Sequence, residues 1–307
     1  MLSHSEIRKH YLLDQYVIVT PSRSNRPRDI EEDTGLKRSG ECFFCPDSLD
    51  ESKVIDSVRR HGAWQTAAIA NKYPAVTLDN TEAYGHQEVI IETRKHGADL
   101  GSLSVNEIFD VLTLYQRRTH EIGKIEDIDY ILIFKNAGGK AGASLLHAHS
   151  QVFATKLLPP EVEEEMQIAK RASDKLNYSV YKKIMEDEER AGQRVVFSDD
   201  SILAFCPYAS QFHYEVWLFT RRQLDNISDL NDAELYSTAE ALKIILGKLN
   251  KYNIDYNFFL HQVISDQGQH FYIKIQPRDS IWGGVELGSG LIINSISPEA
   301  AAVFYRS

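Results

Sequence analysis

The chain has 307 residues, 43% hydrophobic and 25% charged, with a formal net charge of −10 and a pI near 5.6, which predicts a soluble globular protein of two domains or one large one. The acidic balance and the lack of any Lys/Arg-rich run exclude a nucleic-acid or anionic-membrane surface, which needs a concentrated basic footprint, but not a phosphorylated small molecule. No apolar run is long enough to span a membrane, the N-terminus lacks a signal-peptide core, and three cysteines cannot make a disulfide framework, so a cytoplasmic location is expected.

In chain order, Tyr16 to Thr20 reads as the one strand of the first 40 residues. A polar loop follows, Pro21-Ser-Arg-Ser-Asn-Arg-Pro27, then an acidic stretch. Arg23 and Arg26 in that loop, and Asn71 further on, suit phosphate contact and equally suit a solvated surface. Cys42-Phe-Phe-Cys45 is a half-site for zinc, a redox pair, or a reduced buried pair. A metal would need two further ligands, for which His96 and His147 are candidates. Glu88 to Thr93 is rich in Val and Ile, as strands are. Ser104 to Ile122 opens on a capping-box pattern, Ser-Val-Asn-Glu, and carries Ile108, Val111, Leu112 and Tyr115 at helical spacing. Tyr130 to Lys135 is again strand-like. The glycine-rich Asn136 to Ser144, with Gly142, can bring backbone N–H groups close to a phosphate.

His147-Ala-His149-Ser-Gln151 follows. On a strand, alternation would project both imidazoles and the amide from one face. A neutral imidazole is a competent nucleophile or metal ligand near pH 7. Pro159 to Gln193 is polar, looks helical and is read as a crossover. Buried-looking Cys206 sits in Leu-Ala-Phe-Cys-Pro.

The second half then repeats the first. Glu215 to Thr220 matches Glu88 to Thr93, and Ser228 to Leu249 matches the first helix. Tyr256 to His261 matches the second strand, and His270-Phe-Tyr272 matches His147-Ala-His149. Glu-to-Tyr spacing is 42 in one copy and 41 in the other. Upstream, Ala67 to Pro74 echoes Ile202 to Tyr208. The expected fold is α+β, two copies of an antiparallel sheet unit with packed helices, divided into residues 1–194 and 195–307. Trp282 to Gly290 reads as a glycine-rich loop with one carboxylate, Glu286, as a sugar-hydroxyl acceptor or a simple turn.

These motifs, in this order, resemble the galactose-1-phosphate uridylyltransferase family of the histidine-triad superfamily, which includes the related ADP-glucose phosphorylases. The matching pieces are Val17 to Arg23 with Arg26-Pro27, Cys42 to Cys45, Asn71 to Ala75, Lys95-His96, Asn136, Gly142-Ala-Ser144, His147 to Gln151, and Pro277-Arg278 with Gly284 to Gly288. The resemblance implies two histidine-triad-like repeats. It implies that His149 takes a nucleoside monophosphate as a covalent intermediate and that Gln151 bonds the transferred phosphoryl group. Arg23, Arg26, Asn71, Asn136, Gly142 and Ser144 would hold the nucleotide and its phosphates, and Glu286 the hexose. Cys42, Cys45, His96 and His147 would hold a structural zinc.

The implied reaction is ping-pong uridylyl transfer between UDP-glucose and a hexose 1-phosphate such as galactose 1-phosphate. The alternatives are an ADP-glucose phosphorylase or a non-catalytic nucleotide-binding protein. The implied partners are a nucleotide sugar and a sugar 1-phosphate, and the implied assembly is a homodimer with Arg23 reaching the other subunit's site. Departures from the family pattern are Ala148 where Pro is usual, Ser150 where Gly is frequent, and His270-Phe-Tyr272-Ile-Lys274 where HxHxE is frequent. A second metal of some members would fall on Glu165, His261, His270 and Tyr272, where the phenol replaces a ligand.

Overall fold

The computed structural model describes residues 5–21, 42–264 and 268–307. Arg23 and Arg26 lie outside them. Ten strands form one antiparallel sheet. In chain order these are β3 (Val54–Arg60), β4 (Ala63–Ala70), β5 (Gly85–Ile91), β6 (Tyr130–Ala137), β7 (His149–Thr155), β8 (Val195–Ser198), β9 (Ile202–Phe205), β10 (Val216–Thr220), β11 (Tyr256–His261) and β12 (Tyr272–Pro277). Their spatial order is β3-β4-β5-β7-β6-β11-β12-β10-β9-β8. The second five strands mirror the first five about the β6–β11 junction, so the sequence repeat is a structural repeat. β1 (Glu6–Lys9) and β2 (Tyr16–Val19) make a small sheet with β13 (Ile292–Asn294).

Helix α1 (Val105–Ile122) links β5 to β6, and α4 (Asp232–Lys251) links β10 to β11. Ser104 caps α1 in the expected capping box with Glu107. The second copy starts later than its sequence suggests. Ile227–Asp229 is a single 3-10 turn, and Asn231 with Glu234 forms the capping box that opens α4. Both helices pack on one face of the sheet over a core that runs through both halves, from Ile90, Tyr115 and Val152 to Leu218, Leu242 and Phe258.

The crossover is a helical hairpin, α2 (Pro160–Leu176) and α3 (Val180–Ala191), on the opposite face. Its Tyr181, Ile184 and Met185 pack on Leu203, Phe205, Trp217, Phe219 and Tyr272, so it covers that face of the second half. The same face of the first half carries the site described below. Two sequence readings need correction. Glu6–Lys9 is an additional strand, which one apolar residue in four does not announce. The segment after Trp282 is not only loop: Gly284–Ser289 is a short helix, α5, with Glu286 accepting from Gly283 N at 2.8 Å. The chain ends in α6 (Pro298–Arg306), and among the described residues no helix is long and apolar enough to cross a membrane.

Candidate active site and metal centre

Register places the functional strand. β7 lies between β5 and β6, with Ile91 opposite His149 and Phe134 opposite Gln151. His149 opens the strand; His147 stands just before it rather than on it, and Ala148 O accepts from Glu92 N at 3.1 Å. His149 Nδ1 lies 2.9 Å from His147 O. A carbonyl only accepts, so Nδ1 carries the proton and the Nε2 lone pair is left for chemistry. Burial pushes the His149 imidazole below its ordinary pKa, and nearby Lys135 adds to this, against the favourable bond to His147 O. The ring is therefore neutral near pH 7, its nucleophilic form.

A cavity of about 800 Å³ opens over this strand, lined by His149, Gln151, Ser144, Asn71 and the apolar Phe44, Leu49, Ile69 and Val89. An apolar wall with a few convergent polar groups is what a nucleotide-sized ligand requires. Phe44 packs against His149 with ring centroids 5.4 Å apart, so the Cys42–Cys45 turn also shapes the His149 cavity. Beside it, a second cavity of about 390 Å³ is lined by Asn136, His147 and His149. The glycine-rich loop between these residues turns at Gly138 (φ +88°) and Gly142 (φ +84°), left-handed conformations that favour glycine. A Cβ on Gly138 would collide with the Asp255 carboxylate, which also accepts from Lys140 N at 2.8 Å and so ties the loop to the second repeat. Asn136 is held from there as well, its Oδ1 accepting from Asn257 Nδ2 at 2.7 Å.

Behind β7, on the helix-covered face, a buried network was not read from the sequence. Ser150 Oγ donates to Glu92 and is hydrogen-bonded to the Tyr115 hydroxyl. Lys135, 1% exposed, pairs with Glu92 at 2.7 Å and with Asp99 at 3.3 Å. The signal was available: one charge at the end of each of the runs Val-Ile-Ile-Glu92 and Ile-Phe-Lys135. The network pins the strand on one side of His149 from beneath.

The four residues expected to hold a metal come together. Their ligand atoms lie within 4.8 Å of one another. Cys42 Sγ is 3.5 Å from His147 Nδ1, and Cys45 Sγ is 3.4 Å from His96 Nδ1 and 3.7 Å from His147 Nδ1. A tetrahedral ion with bonds of about 2.3 Å to sulfur and 2.0 Å to nitrogen needs sulfur–nitrogen edges of about 3.5 Å. His147 Nε2 lies 2.7 Å from Thr93 O and must donate to it, which leaves Nδ1 unprotonated toward the thiols. This cluster can hold a metal ion.

The other sites differ. Tyr272 OH donates to Glu165 at 2.8 Å, His261 Nε2 is 3.2 Å from the same carboxylate, and His270 Nε2 donates to Thr220 O at 2.6 Å. Among the described residues, only the Cys42 cluster gathers three or more such ligands. Glu286 caps α5 and does not line the His149 cavity within one chain.

Residues 58–159 match the family Galactose-1-phosphate uridyl transferase, N-terminal domain. Over most of its length the chain is similar to an ADP-glucose phosphorylase of Arabidopsis thaliana, 27% identical with 98% of this chain and 92% of the relative covered. It is also similar to a galactose-1-phosphate uridylyltransferase of Thermotoga maritima, 25% identical with 97% and 96% covered. In structure it is similar to an Arabidopsis thaliana ADP-glucose phosphorylase crystallised with ADP-glucose, at a TM-score of 0.86 and 26% identity, with 99% of each chain covered. The α+β fold is thus the one these proteins share. The chain is a relative of the galactose-1-phosphate uridylyltransferases and of ADP-glucose phosphorylase.

Proposed function

We propose that this protein is a nucleotidyltransferase that moves a nucleoside monophosphate between a nucleotide sugar and an acceptor phosphate through a covalent bond to His149. The observation that carries the reading is the His149 Nδ1 bond to His147 O, which leaves a neutral Nε2 for attack in a cavity shared with Ser144 and Gln151. Nε2 attacks the α-phosphorus, the nitrogen–phosphorus bond forms, and the bond to the sugar phosphate breaks. Gln151, Ser144 and the backbone N–H groups after Gly138 suit the phosphoryl oxygens. In the second half-reaction an acceptor phosphate oxygen attacks the same phosphorus and His149 leaves as neutral imidazole. Splitting the exchange this way predicts ping-pong kinetics. Cys42, Cys45, His96 and His147 would hold zinc, whose four-ligand site supplies a structural cross-link and no open coordination position. Arg23, Arg26, Asn71, Asn136 and Gly142 belong to the proposed nucleotide-binding set and Glu286 to the hexose end; the proposed assembly is a homodimer in which Arg23 reaches the other subunit's site.

The uridylyl version takes UDP-glucose and a hexose 1-phosphate such as galactose 1-phosphate. The adenylyl version takes ADP-glucose and inorganic phosphate, and the structural similarity at a TM-score of 0.86 favours it. Intact-mass measurement after incubation with UDP-glucose, UDP-galactose or ADP-glucose tests both. An added uridylyl or adenylyl mass names the donor; the same adduct on His149→Ala protein would sink the assignment.

A further inference from the structure

A cavity of about 740 Å³ lies on the same face of the sheet, between β6, β11, β12 and α2. It is not the His149 cavity. Across the sheet, Gln151 pairs with Phe134, Phe134 with Phe259, and Phe259 with Lys274. Three strand spacings put the Lys274 backbone roughly 14 Å from that of Gln151. Asn136 lines both this cavity and the smaller one at His149, so the two are neighbours on one surface.

Two cations line it in an unusual state. Arg278 forms no ion pair among the described residues, and its Nε is buried without a hydrogen-bond partner. Its guanidinium stacks on Phe212 at 4.9 Å, and Phe212 stacks on Trp282, whose Nε1 is likewise buried without a partner. Lys274, 9% exposed, sits over Trp217 and Tyr272, and its ion pair with Glu165 is a long one at 3.7 Å. Stripping water from a cation without a close counter-charge is costly. The buried carboxylates nearby are already engaged. Glu165 accepts from Tyr272 and Tyr181, and Glu215 accepts from Trp217 Nε1 and from the backbone of Gln211 and Phe212. Glu161 is exposed at the rim. The remaining polar lining is the amides of Gln15, Asn136, Gln211, Gln276 and Asn257, the last with its Oδ1 buried unpartnered, together with the imidazoles of His10 and His261 and the Tyr130 phenol. Aromatic faces, neutral amides and two cations together fit a polyhydroxylated ring that carries an anion.

We infer that this cavity is a second ligand site, which takes a phosphorylated sugar with its phosphate on Arg278 and Lys274 and its ring against Trp282. The choice of a sugar phosphate rests on the proposed function; the cavity, the unpaired Arg278 and the loosely paired Lys274 do not.

Tryptophan fluorescence reports on this site, because Trp217 and Trp282 line it, and a Trp64→Phe background removes the third tryptophan, which packs on Phe44 of the His149 cavity. Glucose 1-phosphate is titrated into the full chain, and inorganic phosphate and glucose separately. A saturable signal is expected with glucose 1-phosphate, retained in His149→Ala and weakened at least tenfold in Arg278→Met and Lys274→Met. Arg278→Met should melt no lower than the parent, since it removes an unpaired cation; a lower melt would mark Arg278 as structural and overturn the assignment. An unchanged midpoint in both Met variants, or no signal in the parent chain, would also overturn it. Inorganic phosphate binding as tightly as glucose 1-phosphate would overturn the sugar half. Failure of the covalent adduct at His149 reads on the proposed reaction alone, so the two can fail separately.

Discussion

Tyr272 occupies in the second repeat the place that His149 holds in the first. β12 mirrors β7 in the strand order, and each residue lies two positions after a histidine whose Nε2 donates to a threonine carbonyl, Thr93 for His147 and Thr220 for His270. The second repeat thus keeps the supporting hydrogen bond while the position equivalent to the proposed nucleophile holds a phenol bound to Glu165 and roofed by α2 and α3.

The proposed reaction then uses one histidine per chain. Tyr272→His should not create another, because the position is 1% exposed beneath the helical hairpin. Intact mass should show a single adduct on the Tyr272→His protein and none on the double variant with His149→Ala. An adduct on the double variant would refute this.

A metal held by Cys42, Cys45, His96 and His147 would tie the Cys42–Cys45 turn to the start of β7, so its loss should act on both stability and the proposed reaction. Zinc analysis should return about one ion per chain. Cys45→Ser should empty the site and lower the thermal midpoint by about 5 °C, the shift expected for a loss of a few kcal/mol in a chain of this size. Retained zinc with an unchanged midpoint would contradict the four-ligand assignment.

The Lys135–Glu92 pair beneath Ser150 is fully buried, so removing one partner strands the other charge. Lys135→Met should destabilise by about 3–5 kcal/mol. The double variant Lys135→Met with Glu92→Gln should recover part of that loss in a denaturant double-mutant cycle. Additive losses would mean the two side chains do not act as a pair.

What the sequence made legible was the repeat and the residues whose partners are near in sequence or share a motif. Glu88, within β5, and Glu215, just before β10, mark equivalent strands, and the HxHxQ segment carries the residue types of the chemistry proposed for it. Where His147 points was not legible, because Thr93 O decides it. The helical covering of Tyr272 was equally hidden, since 107 residues separate that phenol from Glu165. Lys274 and Arg278 gain meaning only from sheet register, which sets them beside aromatic side chains from other strands and loops. The short β1 and the glycine-rich α5 carry no periodic pattern long enough to read.

Acid should weaken the fold through two histidines far from the metal centre. His270 is buried, with Nδ1 unpartnered, and burial lowers its pKa to about 4. His10 is lowered to about 4 by burial and by Lys274, while its Nδ1 accepts from Leu12 N and Leu13 N. In the unfolded chain both titrate near 6.5. Above that value both are neutral in both states and the stability is fully present. As pH falls from about 6.5 toward 4 the unfolded chain binds the protons first, and each histidine withdraws about 1.4 kcal/mol per pH unit. Urea unfolding across this window should show that slope, and His270→Gln, which can still donate to Thr220 O, should reduce it by about half of the histidine contribution. A slope untouched by the substitution would mean that His270 takes up a proton in the folded protein as readily as in the unfolded chain.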